Sequence, residues 1–118
     1  MRKVTVNASK KYDILIGRGL LEQPGKLIKQ VTGGSCVAVV TDSNVAPLYM
    51  QTLKAGLEAA GCRVVTHVFE AGEANKNIHT FAEILNFLAA NRLDRTDVIA
   101  ALGGGVTGDM AGFAASVY

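Results

Sequence analysis

Three consecutive glycines near the end of the chain are its most informative chemical feature. They belong to Leu102–Asp109, with the sequence LGGGVTGD, between the apolar run Val98–Leu102 and the apolar segment Met110–Ala115. The run predicts a buried strand and the segment a helix, and a glycine turn between them leaves backbone N–H groups free to meet an anion. Because glycine has no Cβ, a pyrophosphate can approach this main chain closely. We therefore predict a phosphate-binding turn.

Asp109 calls for a different partner, because a carboxylate beside a phosphate repels it. It is better suited to accept hydrogen bonds from sugar hydroxyl or amide groups next to the phosphates. The alternative is that the glycines only let a helix pack on a sheet. Gly103, Gly105 and Gly108 match G-x-G-x-x-G, but that fingerprint usually follows the first strand and precedes an acidic residue by about 20 positions. Here only nine residues follow Asp109, and a P-loop Gly-Lys-Ser/Thr is missing.

The elements that would position this turn alternate along the chain after an N-terminal hairpin. The hairpin is predicted at Arg2–Val6 and Tyr12–Gly17, where apolar and polar residues alternate. Strands are predicted at Cys36–Val40, Val64–Phe69 and Val98–Leu102, and helices around Pro24, at Pro47–Ala60 and at Ile78–Asn91. This order predicts one Rossmann-like α/β domain over residues 1–118, with a mostly parallel sheet and right-handed crossovers.

Polar loops follow the three predicted parallel strands, at Thr41–Asn44, Glu70–Lys76 and Gly103–Asp109. Ligands of such sheets bind outside the carboxyl ends of the strands, so the edge shared by these loops is the predicted ligand site.

Simpler roles exist for the charged residues of the first two loops. Asp42 and Asn44 are common in turns and helix caps. Glu73 and Lys76 are spaced to form a weak ion pair in a solvated loop, worth about 0–1 kcal/mol. The residues alone leave these alternatives open.

Composition describes a globular chain of 118 residues, 49% hydrophobic and 19% charged. Twelve basic and ten acidic residues give a net charge of +2, too small and too scattered for a nucleic-acid partner. No segment approaches the ~20 apolar residues of a membrane span. The early basic residues precede no apolar run of a signal peptide. We expect a cytoplasmic protein without nucleic-acid or membrane partners.

The cysteines and histidines show no metal-ligand spacing. Cys36 and Cys62 are expected to be reduced core residues, as is usual without a secretory signal. His67 and His79 lack an H-x-x-H or H-E-x-x-H arrangement and are interpreted as structural or surface residues. No metal site is predicted in this chain.

The last residues, Ala111–Tyr118, predict an apolar helix without a polar cap. Such an end exposes apolar surface and unpaired carbonyl groups. We expect this chain to be the N-terminal part of a longer protein.

Several segments together resemble the N-terminal domain of 3-dehydroquinate synthases. Gly103–Ala115 is the most specific, and Thr41–Val45, Gly72–Lys76 and Leu93–Asp97 agree with it in order and spacing. The resemblance implies conversion of 3-deoxy-D-arabino-heptulosonate 7-phosphate to 3-dehydroquinate and phosphate, with tightly held NAD and a zinc or cobalt ion. It implies a homodimer at full length. It also places the metal ligands and the basic residues that hold the sugar phosphate in a helical C-terminal domain, absent from this chain, which alone is expected to be inactive.

The resemblance also implies the residues that bind the cofactor. Asp42 and Asn44 would face the adenosine of NAD, Glu73 and Lys76 would contact a ribose, and Asp109 would anchor the ribose on the nicotinamide side. The other implied cofactor contacts are Gly72, Gly104, Gly105, Val106, Thr107 and Gly108. No catalytic residue and no metal ligand is implied in this chain.

Two positions depart from the family pattern, and other functions remain open. Thr107 stands where an aliphatic residue is expected, and Ala71 replaces a more usual aspartate. The alternatives are a metal-dependent polyol dehydrogenase of the glycerol dehydrogenase type, a sugar-cyclising relative that makes other carbocycles, and a standalone nucleotide-binding module. Gly108–Phe113 favours the dehydroquinate enzyme over the first two.

Overall fold

A three-stranded parallel sheet organises the chain in a computed structural model that describes residues 1–31 and 35–118. Its strands are β3 (Cys36–Asp42), β4 (Arg63–Phe69) and β5 (Val98–Leu102), in the order β4-β3-β5. The strands β1 (Arg2–Asn7) and β2 (Lys11–Ile16) pair separately as an antiparallel hairpin. The predicted α/β fold with a parallel sheet and an N-terminal hairpin is therefore confirmed.

Within residues 1–31 and 35–118 the strands are accompanied by four α-helices: α1 (Pro24–Val31), α2 (Gln51–Ala59), α3 (Ile78–Ala90) and α4 (Gly105–Val117). The helix predicted at Pro47–Ala60 is divided, because its first part, Ala46–Met50, is a π-helical turn. α4 begins at Gly105, five residues before the apolar segment that predicted it. None of the helices in the described part of the chain is long and apolar enough to cross a membrane.

The core forms on both faces of β3, whose first six residues are all buried. Val37 and Val39 pack with Leu53 and Leu57 of α2. On the opposite face of β3, Ala38 and Val40 belong to a separate hydrophobic cluster. Its helical members come from α3 and α4: Ile84, Leu88, Met110, Ala111 and Ala114. The sheet is thus a middle layer between helices, which explains why β3 is a continuous apolar run rather than an alternating one.

The hairpin presents an apolar side to solvent. Tyr12 and Ile16 are 56% and 54% exposed, and Ile14 is also exposed. Tyr12, Ile14 and Ile16 are two residues apart along β2, so their side chains lie on the same face of the hairpin. Val4 of β1 is paired with Ile14 and lies on that face as well.

The contact between α1 and α2 depends on two glycines. A Cβ on Gly56 would lie 2.7 Å from Cδ of Pro24, and a Cβ on Gly25 would collide with Cβ of Ala60. Since a proline ring is rigid, the helices could not stay this close with larger residues at these positions.

We predict that Gly56→Ala lowers the free energy of unfolding by about 1–2 kcal/mol, because overpacking outweighs the better helix propensity of alanine. Gly112→Ala is the matched control, since a Cβ there has nothing within 4 Å. It should raise stability by about 0.5–1 kcal/mol. Urea denaturation of both variants measures the difference, and equal effects would contradict the close-packing argument.

Candidate functional site

The three parallel strands end at the same level. Thr41 of β3 lies opposite Val68 of β4 on one side and Leu102 of β5 on the other. The loops that follow the strands therefore share one edge, as predicted. The chain goes from β3 to β4 on one side and then to β5 on the other, so this edge lies at a topological switch point, where open α/β sheets bind ligands.

Hydrogen bonds tie the strand ends and loops together. The buried Thr41 hydroxyl donates to the Leu102 carbonyl oxygen at 2.7 Å, which joins β3 to β5. The Ser43 backbone N–H donates to the Phe69 carbonyl oxygen, and the Ala71 N–H donates to Ser43 Oγ, both at 2.9 Å. The sequence analysis missed the two hydrogen bonds made by the Thr41 and Ser43 hydroxyl groups. The available signal was the presence of two hydroxyl side chains at the end of a predicted strand.

The loop after β4 is linked to the start of α4 by an ion pair. Lys76 Nζ lies 2.8 Å from Asp109 Oδ2, and 4.0 Å from Glu73 Oε1. The hydrogen bond and charge of Asp109, with a smaller contribution from Glu73, raise the pKa of Lys76. The sequence suggested only the Glu73 pair, because Asp109 is 33 residues away along the chain.

The glycine turn contains two different kinds of glycine. Gly103 has φ of +153°, and a Cβ on it would lie 2.8 Å from Oγ1 of Thr107. Gly103 is therefore required by the fold. By contrast, a Cβ on Gly104, Gly105 or Gly108 would meet no atom within 4 Å.

This open space adjoins the first turn of α4. Gly105 is the first residue of the helix and Gly104 is its N-cap, without a side chain to cap it. The first N–H groups of a helix have no partner within it, and the helix dipole adds positive charge there. Val106 is half-buried and packs against the core, while Gly108 and Asp109 are exposed. The turn can therefore accept an anion on its main chain.

Thr107 faces inward rather than toward this space. It is 1% exposed, and its hydroxyl is buried without a hydrogen-bond partner in the described part of the chain. A cofactor contact of Thr107 stays a prediction.

Asp42 stabilises a turn, which is the simpler role that the sequence analysis gave as the alternative to ligand binding. Its Oδ1 accepts hydrogen bonds from the N–H groups of Asn44 and Val45, both at 2.9 Å. The Asn44 side chain is exposed at the same edge. Contact of either residue with a ligand stays a prediction.

The second loop makes a tight turn before α3. Gly72 has φ of +120°, which favours glycine, and Glu73 begins a 3₁₀ turn that ends at Asn75. Asn77 then caps α3 by accepting the Thr80 N–H at 2.9 Å. This arrangement leaves Glu73 exposed beside Lys76.

Two cavities lie away from the edge. One of about 510 Å³ is bounded by Leu93, Arg95 and Tyr118. The other, of about 1000 Å³, lies between the hairpin and residues 18–27. Neither of these includes a residue of the three loops.

The cysteines and histidines lie outside the edge as well. Both cysteines are buried and free, and desolvation raises the pKa of Cys36. Burial lowers the pKa of His67, which packs on the ring of Phe87 at 5.1 Å between centroids. Residues 1–31 and 35–118 contain no group of three or more His, Cys, Asp or Glu side chains that could hold a metal ion.

Comparison with known proteins bears on this edge. The family model for the N-terminal region of 3-dehydroquinate synthase matches residues 66–118, which include the second and third loops. The 3-dehydroquinate synthase of Streptococcus suis is 45% identical over 98% of this chain and 33% of its own length. That of Neisseria meningitidis serogroup C is 45% identical over 100% of this chain and 33% of its own length.

Almost the whole chain is thus similar in sequence to 3-dehydroquinate synthases. The predicted resemblance is therefore confirmed. The chain spans about a third of the length of the curated relatives that it matches.

Solved structures agree on the fold. A crystal structure of 2-deoxy-scyllo-inosose synthase matches with a TM-score of 0.87 and 23% identity, over 98% of this chain and 33% of that one. A structure of 2-deoxy-scyllo-inosose synthase complexed with carbaglucose-6-phosphate, NAD⁺ and Co²⁺ matches with a TM-score of 0.85 and 22% identity. That match covers 99% of this chain and 32% of the other. The 2-epi-5-epi-valiolone synthase of Streptomyces hygroscopicus, with NAD⁺ and Zn²⁺ bound, matches with a TM-score of 0.77 and 29% identity. That match covers 98% of this chain and 31% of the other.

We predict opposite effects of the same substitution at the two buried threonines beside the glycine turn. Thr107→Val removes an unpaired hydroxyl and should leave the free energy of unfolding unchanged or raise it by about 1 kcal/mol. Thr41→Val breaks the bond to Leu102 and should lower it by about 1–3 kcal/mol. Urea denaturation separates the two, and a loss of stability in Thr107→Val would show that its hydroxyl has a partner in the folded protein.

Proposed function

We propose that the edge formed by the three loops binds NAD. The observation that carries this proposal is the open space at Gly104, Gly105 and Gly108, where the fold itself would tolerate a Cβ. A pyrophosphate resting on the main chain at the start of α4 explains why side chains are missing there. The related synthases solved with NAD⁺ support the same cofactor.

The sugars of the cofactor would be held by the acidic residues around this space. Carboxylates at strand ends suit ribose diols, which donate hydrogen bonds to them. We assign Asp42 and Asn44 to the adenosine, Glu73 and Lys76 to a ribose, and Asp109 to the ribose on the nicotinamide side. The proposed contacts along the pyrophosphate and the second loop are Gly72, Gly104, Gly105, Val106, Thr107 and Gly108.

For the intact protein we propose the 3-dehydroquinate synthase reaction, a carbon–oxygen lyase step that releases phosphate from 3-deoxy-D-arabino-heptulosonate 7-phosphate. NAD would supply the reversible oxidation of a substrate hydroxyl, and the residues named above would bind and orient it. The identity of the curated relatives supports this activity. The zinc or cobalt ion of the family would need ligands other than the described residues, which offer no such group. We further propose a cytoplasmic homodimer.

Gly105→Val tests the cofactor site. The valine side chain would fill the open space and block the approach of the pyrophosphate, so we expect the intact protein to lose NAD binding while staying folded. Isothermal titration calorimetry with NAD and circular dichroism measure the two properties. Gly112→Val, in the same helix and equally open, is the matched control and should bind NAD normally. Unchanged NAD affinity in Gly105→Val would overturn the phosphate assignment.

The 118-residue chain alone should release no phosphate from the heptulosonate phosphate in the presence of NAD and zinc or cobalt. The reason is that the family resemblance places the metal ligands and the phosphate-holding basic residues outside it. A colorimetric phosphate assay checks this, with the intact protein as the positive control. Turnover by the purified chain would show that the catalytic groups lie within it.

A further inference from the structure

The larger of the two cavities, of about 1000 Å³ between the hairpin and residues 18–27, has a wall formed by one face of the hairpin. The register pairs Lys3 with Leu15 and Thr5 with Asp13, so these four side chains lie on the same face. All four line the cavity. This is the face opposite to the exposed apolar side of the hairpin.

Asp13, an acidic residue of this wall, is already engaged within the hairpin. Its Oδ1 accepts a hydrogen bond from Oγ1 of Thr5 at 2.8 Å, and its Oδ2 lies 3.8 Å from Nζ of Lys3. The charges of Asp13 and Lys3 therefore offset one another. The net charge of the cavity is set by its other lining residues.

Three further basic residues line the cavity: Lys11 from the hairpin, and Arg18 and Lys26 from the opposite wall. In the part of the chain that the structure describes, none of the three forms an ion pair with a carboxylate. Glu22 lies between Arg18 and Lys26 in the sequence but does not line the cavity. Positive charge from both walls therefore converges on one space.

The surroundings of this charge favour a small ligand. The half-buried Leu20 and Leu27 also line the cavity, and apolar walls beside charges of one sign concentrate ligands of the opposite sign. Residues 1–31 carry seven basic and two acidic residues, whereas residues 35–118 carry five basic and eight acidic ones. An extended polyanion or an anionic membrane would meet this acidic remainder, but a compact anion would not.

We propose that this cavity binds a compact anion that carries two or more phosphate groups, held by Lys11, Arg18 and Lys26. Lysine and arginine N–H groups form charge-assisted hydrogen bonds with phosphate oxygens. The cavity has the size of a small-molecule cleft, for which about 300–1000 Å³ is typical. A ligand there would bridge the hairpin and residues 18–27. The site is distinct from the edge proposed for NAD, whose loops do not line this cavity.

Isothermal titration calorimetry of the intact protein with inorganic tripolyphosphate tests the proposal. We expect Lys11→Gln, Arg18→Gln and Lys26→Gln each to weaken tripolyphosphate binding by about three- to ten-fold, because each removes a charge-assisted hydrogen bond. Lys10→Gln is the matched control, since it removes the same charge from the neighbouring position but not from the cavity lining. Its affinity for tripolyphosphate should be unchanged.

Two further variants separate this site from a loss of folding and from the edge proposed for NAD. Asp13→Asn keeps an acceptor for the Thr5 hydroxyl but removes the charge opposed to the ligand, so binding should become about three-fold tighter. Gly105→Val, which fills the open space at the start of α4, should bind tripolyphosphate as the wild-type protein does. Circular dichroism and urea denaturation verify that each variant is folded.

Unchanged affinity in the three cavity variants, or an equal loss in Lys10→Gln, would overturn the proposal. A loss in Gly105→Val would place the anion at the NAD edge and would overturn it as well. Absence of tripolyphosphate binding by the wild-type protein would have the same consequence, while leaving the NAD site untouched. A short DNA duplex or phosphatidylglycerol vesicles that bind as tightly, with the same dependence on Lys11 and Arg18, would show that the surface takes an extended polyanion instead.

Discussion

The parallel register of β3 with both of its neighbours is the constraint on which the candidate site depends. Thr41 lies level with Val68 and Leu102, so the chain leaves all three strands at the same height. The register is fixed because both faces of β3 are buried, and a shift by one residue would turn Val37 and Val39 toward the wrong layer of helices. Loops from distant parts of the sequence thereby reach one edge.

At that edge the backbone and the side chains have different electrostatic roles. The charged side chains of the three loops are mainly acidic, which favours hydroxyl donors over anions. The main chain at the start of α4 has the opposite character, because the first N–H groups of a helix have no partner within it and the helix dipole is positive there. A ligand with both an anionic centre and flanking sugars matches this division. A simple anion or a simple polyol would satisfy only half of it.

β3 could be predicted to within two residues because burial between two helical layers demands a continuous apolar run, as in Cys36–Val40. The sequence pattern predicts the start of α4 too late, since glycines such as Gly105 have low helix propensity. The ion pair of Lys76 with Asp109 could not be predicted, because local spacing favoured Glu73 and the true partner is brought close by the sheet. The resemblance implies that Thr107 contacts the ligand, whereas its side chain is buried in the folded chain.

The open glycines of α4 also have a consequence for protein engineering. Alanine at a solvent-facing helical glycine commonly increases thermal tolerance, since it restricts the unfolded chain. Gly105 and Gly108 are such positions when judged by heat resistance alone. If NAD rests on this turn as proposed, a screen for thermostable variants that ignores ligand occupancy would enrich substitutions at these positions at the expense of cofactor binding.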